Sequence, residues 1–166
     1  MEIKIAKSAG FCFGAKKAVD TVYECCGKGK PVYTLGPIIH NEIVVDDLKK
    51  HGAVPIESIE ELENIRDAYV VIRSHGVEKE TFERLESIGE KNNLTIADAT
   101  CPFVKKIYRY VEEASAQGRH VLIAGDKDHP ELKGIESRCS GKVTILEDPE
   151  NIDVSALDPG EKYTIV

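Results

Sequence analysis

Residues 68–118, "AYVVIRSHGVEKETFERLESIGEKNNLTIADATCPFVKKIYRYVEEASAQG", decide the fold. The opening "AYVVIRS" is continuously apolar and β-branched, the pattern of a strand buried on both faces. "EKETFERLESIGEKN" repeats its apolar positions at helical spacing. "LTIADA" returns to a strand, and Pro102 opens the long helix "PFVKKIYRYVEEASAQG". Strand, helix, strand, helix within one stretch predicts parallel pairing through helical crossovers.

The same rhythm runs in both directions. Upstream, "EIKIA" (2–6) reads as a strand, and "GAKKAVDTVYECCGKGK" (14–30) as a helix closed by Gly27. "PVYTLG" and "AVPI" read as strands on either side of a helix, "NEIVVDDLKKHG", capped by Asn41 and stopped by Gly52. "SIEELENI" reads as a short acidic helix with a Ser58–Glu61 capping box. Downstream, "HVLIAG", "KVTILE" and "KYTIV" are strands, with "PELKGIESRC" helical after the first. The predicted class is α/β, with pseudo-repeated lobes of small, mostly parallel sheets flanked by helices. A boundary is expected near residue 98. The chain stops inside "KYTIV" with no turn after it, so the sequence is expected to be part of a longer protein.

Apolar residues make up 42% of the 166-residue chain and charged residues 31%, as in ordinary globular proteins. A formal net charge of −7 argues against a general binder of nucleic acid or anionic membranes. No run approaches the length of a membrane span, and "MEIKIAKSAG" lacks the apolar core of a signal peptide. The expected location is the cytoplasm. There, five cysteines (Cys12, Cys25, Cys26, Cys101 and Cys139) do not read as a disulfide set.

Ligands of parallel α/β sheets gather outside the carboxyl ends of the strands. The segments at those ends are "SAGFCFG", "GPIIHNE", "SHGVE", "DATCP" and "GDKDHPE", holding Cys12, His40, His75, Cys101, His129 and Glu131. Each has a plain alternative. Cys12 lies between glycines that permit close backbone approach, but a free cysteine also packs as a small hydrophobe. Cys101 precedes Pro102, where unpaired N–H groups stabilise a thiolate able to bind metal or an iron–sulfur cluster; a cap-like spacer explains it equally well. His40 and His75 beside helix starts suit an anion, or merely fill turns. His129 and Glu131 flank Pro130 and can handle a proton as a pair, or Glu131 simply favours the helix dipole. Cys25, Cys26 and Cys139 read as structural. "KKAVD" and "FVKKIYRY" read as solvated helix faces.

Taken together and in order, "GFCFGAKKAVD", "GPIIHNEIVVDDL", "RSHGV", "DATCPFVKK" and "DHPELKG" closely resemble the signature segments of the 4-hydroxy-3-methylbut-2-enyl diphosphate reductase family. The resemblance covers the supplied chain but roughly the N-terminal part of the family's usual length. It implies three α/β lobes around a central [4Fe-4S] cluster with one open iron site, held by one cysteine from each lobe. By that resemblance Cys12 and Cys101 are two ligands, and the third lies beyond Val166. His40, His75 and His129 match the diphosphate-binding histidines, and Glu131 matches the proton donor, acting with His129. The implied organisation is 1–13, a strand and first cysteine loop packing with the third lobe; 14–98, the first lobe; and 99–166, a truncated second lobe. The implied reaction is reductive dehydroxylation of an allylic diphosphate to isopentenyl and dimethylallyl diphosphates, the last step of the methylerythritol phosphate route. A donor such as ferredoxin or flavodoxin would supply electrons, and the protein would be a monomer. Ala15 and Lys17 stand where many members carry Val and Arg, a change in helix packing and one surface cation. Two other readings of the same residues are a zinc-dependent hydrolase using Cys12, Cys101 and nearby histidines, and a phosphate-ligand-binding or redox-sensing domain.

Overall fold

The computed structural model describes residues 2–6, 9–148, 152, 155 and 157–166. The first sheet holds β1 (Val32–Leu35), β2 (Ala53–Ile56), β3 (Tyr69–Ile72) and β4 (Thr95–Asp98), in the order β2-β1-β3-β4. Every pairing is parallel. Helices α1 (Phe13–Cys26) and α2 (Glu42–Lys50) cover one face, where Ala18, Val22, Leu48 and Val71 are buried together. A 3-10 helix (Ile59–Asn64) and α3 (Lys79–Asn92) cover the other, with Leu62, Val70, Ile72 and Leu85. The continuous "YVVI" run is thereby explained: alternate residues feed opposite cores, so none of them faces water.

Helix α4 (Pro102–Ala116) carries the chain into a second sheet. There β5 (His120–Ala124), β6 (Val143–Leu146) and β7 (Tyr163–Ile165) lie in the parallel order β6-β5-β7, with α5 (Pro130–Glu136) between β5 and β6. Val104, Tyr108, Val111, Val121, Ile123, Leu132 and Ile135 form its core. In both sheets the chain leaves a strand on one side and later returns on its other side. The first sheet switches between β1 and β3, the second at β5, and the loops after these strands form crevices at the carboxyl edges.

The structure corrects several expectations. Residues 2–6 form no strand; Ile3 and Ile5 are 73% and 82% exposed, and among the described residues no strand pairs with them. Residues 1, 7 and 8 of the expected N-terminal segment lie outside the described residues. The "SIEELENI" helix is of the tighter 3-10 type, with the Glu61 carboxylate accepting from the Glu57 and Ser58 N–H groups. "FVKKIYRY" is not simply a solvated face, because Val104 and Tyr108 are buried. Asn93, in the left-handed conformation at φ 55°, ends α3.

Candidate functional site

Most of the candidate residues sit at helix N-caps or beside them; His75 instead lies in the turn after β3, three residues before Glu78, the N-cap of α3. Cys12 caps α1, its sulfur accepting from the Ala15 N–H at 3.5 Å. Asn41 caps α2 through Oδ1 to the Val44 N–H at 3.1 Å, and His40 immediately precedes it. Cys101 is the N-cap of α4, with Pro102 behind it, and its sulfur makes no capping bond. His129 caps α5, its Nδ1 accepting from the Glu131 N–H at 3.2 Å. That bond makes Nδ1 an acceptor, so in the neutral ring Nε2 carries the proton and can donate.

Short links hold these loops in register. The Ser74 N–H and hydroxyl both donate to the Ile38 carbonyl, at 3.3 and 3.2 Å, tying the loop of His75 to that of His40. The Cys101 N–H donates to the Ser74 carbonyl at 2.8 Å. Gly14 makes room for Cys101: a Cβ at Gly14 would lie 2.5 Å from the Cys101 sulfur. The first turn of α1 therefore packs directly against the thiol at the head of α4.

The result is an open cleft of about 540 Å³ lined by Cys12, Gly14, His40, Asn41, Ser74, His75, Cys101 and Glu131, with Phe11 and Phe103 at its side. His129 is not on that lining, but its ring centroid is 5.5 Å from that of His75 and 6.3 Å from that of His40; the His40 and His75 rings are 4.8 Å apart. One ring nitrogen from each of the three lies within 4.8 Å of the others, a spacing that could hold an anion or a metal ion. A groove of equal volume between α1 and α2 carries no cysteine or histidine.

His75 is the most perturbed member. Burial, then the neighbouring His40, Arg73 and His129, push its pKa down to about 4. Its Nδ1 is buried, with no hydrogen-bond partner among the described residues. Beside Cys101, burial pushes Asp98 up, but bonds from Lys105 (2.5 Å) and the Thr100 N–H (2.9 Å) outweigh it and hold the carboxyl below its ordinary range. All five cysteines are free. Cys25 is buried in the first core, Cys139 packs against the second, and burial raises the pKa of both thiols. Sequence reasoning missed Gly14 and Ser74. Ser74 carried a signal in its strand-end position; the role of Gly14 depends on a contact distant in sequence.

The LytB protein family profile matches residues 3–166. The chain belongs to the LytB family. Among curated relatives, a 4-hydroxy-3-methylbut-2-enyl diphosphate reductase of Caldanaerobacter subterraneus is 46% identical, covering 92% of this chain and 53% of that protein. One from Geobacter sp. (strain M21) is 40% identical, covering 92% and 52%. The solved structure of the (E)-4-hydroxy-3-methyl-but-2-enyl diphosphate reductase described as the terminal enzyme of the non-mevalonate pathway superposes with a TM-score of 0.76 at 39% identity, over 89% of this chain and 52% of that one. The structure of the E-1-hydroxy-2-methyl-but-2-enyl-4-diphosphate reductase from Plasmodium falciparum gives 0.83 at 29% identity, over 96% and 49%. The chain spans about half the length of the LytB relatives it matches.

Proposed function

We propose that this chain supplies two lobes, 14–98 and 99–166, of a reductase that dehydroxylates (E)-4-hydroxy-3-methylbut-2-enyl diphosphate to isopentenyl and dimethylallyl diphosphates. In this reading residues 1–13 pack with a third lobe. The observation that carries it is the convergence of Cys12 and Cys101 with His40, His75 and Glu131 on one cleft built from both sheets.

The donor set fits part of an iron–sulfur site. Two unpaired thiols at helix N-caps face one cavity, and Gly14 clears space beside one of them. Cys12 and Cys101 would hold a [4Fe-4S] cluster together with a cysteine outside this sequence. Such a cluster, with one iron open, would supply electrons from a ferredoxin or flavodoxin and a Lewis-acid position for the substrate hydroxyl.

The other residues have roles that follow from their own geometry. His40 and His75, linked through Ser74 and Ile38, present imidazoles to the diphosphate, and Nε2 of His129 adds a third donor. The N-terminus of α2 contributes positive dipole where His40 stands, so a diphosphate can bind an acidic protein locally. Glu131 reaches the same cleft and would deliver the proton that leaves with the hydroxyl as water. The bond from its own N–H orients His129, so the two act as one unit.

Glu131→Gln in a protein of the relatives' full length is expected to cut turnover on the order of 100-fold or more while leaving iron content and pyrophosphate affinity unchanged. Wild-type turnover in Glu131→Gln would refute the proton-donor role. The clustered histidine nitrogens also favour a second reading, a zinc site. Anaerobic reconstitution separates them: a colourless protein with stoichiometric zinc would overturn the redox reading.

A further inference from the structure

Tyr108 lies on α4, away from the cleft lining, yet four features of the joint between the sheets meet at its side chain. The residue is 6% exposed. Its hydroxyl donates to the His75 carbonyl at 3.3 Å. The guanidinium carbon of Arg138 lies 4.2 Å from its ring centroid. Two glycine backbones, Gly76 and Gly134, close on the same hydroxyl: a Cβ at Gly134 would lie 2.5 Å from it, and one at Gly76 closer still. Gly76 also has φ +76°, so a side chain there is doubly disfavoured.

These two glycines belong to different parts of the site. Gly76 follows His75 in the first-sheet loop. Gly134 lies in α5, the helix capped by His129 and carrying Glu131 in its first turn. We propose that Tyr108 is a positioning residue, a wedge whose hydroxyl sets the spacing between the His75 loop and the helix that presents His129 and Glu131. Its consequence for diphosphate binding rests on the function proposed above; the wedge itself does not. Burial keeps the phenol pushed up to about 12, so it is a hydrogen donor across the working pH range. Neighbouring bonds brace the joint: the Arg138 guanidinium donates to the Val77 carbonyl at 3.5 Å, and the Lys79 N–H donates to the Ser137 hydroxyl at 2.9 Å. Among the described residues, only Tyr108 bonds to His75 itself while resting on α5.

The test uses three variants of this chain, Tyr108→Phe, Gly134→Ala and the double variant, read by amide hydrogen exchange. Tyr108→Phe removes one hydroxyl and keeps the ring. Exchange of the Gly76 and Lys79 amides should quicken by about 5- to 10-fold, the loss of one net hydrogen bond, with the β3 and β5 amides unchanged. Gly134→Ala should have a larger local effect, because the new methyl collides with the hydroxyl. The double variant should recover most of that loss, because phenylalanine vacates the space; this non-additivity is the signature of a wedge. In the full-length protein, Tyr108→Phe should weaken inorganic pyrophosphate binding by about the same factor with iron content unchanged. Unchanged exchange at residues 74–79, additive variants, or acceleration of every amide would each overturn the wedge. If the exchange results hold but the wild-type full-length protein binds no pyrophosphate, the wedge stands and the diphosphate reading falls.

Discussion

His75 shows what the fold imposes on a single side chain. Its ordinary pKa of 6.5 is pushed down to about 4, by burial first and then by His40, Arg73 and His129. The sign follows from proton linkage. Between those two values the unfolded chain binds a proton that the folded chain refuses, so lowering the pH favours unfolding. This contribution to stability is complete above about pH 6.5, shrinks as the pH falls, and is gone below about pH 4. Urea midpoints measured across that range should fall for the wild type and fall less for His75→Gln, which keeps a polar side chain but cannot titrate. Parallel profiles would mean that His75 is not held neutral. Near neutrality His75 is therefore an uncharged imidazole, which can offer one N–H to an anion. A bound diphosphate would reverse the balance, since a nearby negative charge favours the protonated ring. Substrate binding and proton uptake would then be linked at the residue that Tyr108 positions.

At the scale of elements, the N-terminal caps carry the site. Asn41 tests whether a cap matters to function as well as to its helix. Asn41→Ala deprives the Val44 N–H of its acceptor and should cost about 1 kcal/mol in denaturant unfolding, while Asn41→Asp should cost little. Because His40 is adjacent, pyrophosphate binding by the full-length protein should weaken in the alanine variant and persist in the aspartate one. Equal binding in both would separate the cap from the site. Asn41, the Glu61 carboxylate and Pro102 were legible in the sequence because capping is local: donor and acceptor lie within a few residues. The strands were legible for a similar reason, since the continuous apolar run of "AYVVIRS" marks a strand covered on both faces and "HVLIAG" is a short β-branched run bounded by glycine. The placement of His40, His75, Cys101 and Glu131 was legible because parallel sheets send their strand ends to one edge, whereas Cys12 follows no strand and reaches the cleft as the N-cap of α1. What escaped was nonlocal. "EIKIA" has the alternation of a strand, but a strand needs a neighbour, and among the described residues no strand pairs with residues 2–6. Tyr108 read as part of a basic helix face because Gly76 and Gly134, which give it meaning, sit in other loops and helices. Gly14 was unreadable on the same grounds: its partner is the thiol of Cys101.

At the scale of the molecule, the cleft is shared between two sheets that have separate cores. Among the described residues no strand of one sheet pairs with a strand of the other, and the two cores of the first sheet share no residue with the core of the second. The first sheet brings Cys12, His40 and His75, while the second lobe brings His129 and Glu131, with Cys101 at the junction. The integrity of the site is then set by the less stable lobe. That lobe is expected to be the second, with three strands and one buried cluster against four strands covered on both faces. Ile123, 2% exposed in β5, is the place to test it. Ile123→Ala leaves a cavity costing about 2–5 kcal/mol, which should speed exchange of the β5 amides at least about 30-fold. If the lobes open separately, the amides of Val70 and Val71 in β3 will keep their wild-type protection, and only the residues on the second lobe will lose register. Equal acceleration in β3 and β5 would show one cooperative unit, and the joint at Tyr108 would then transmit stability as well as position. Under separate opening, the wedge and the bonds donated by Cys101, Arg138 and Lys79 are what keep His129 and Glu131 facing His40 and His75. Damage to the second core should therefore displace Glu131 from the cleft before the first sheet registers it.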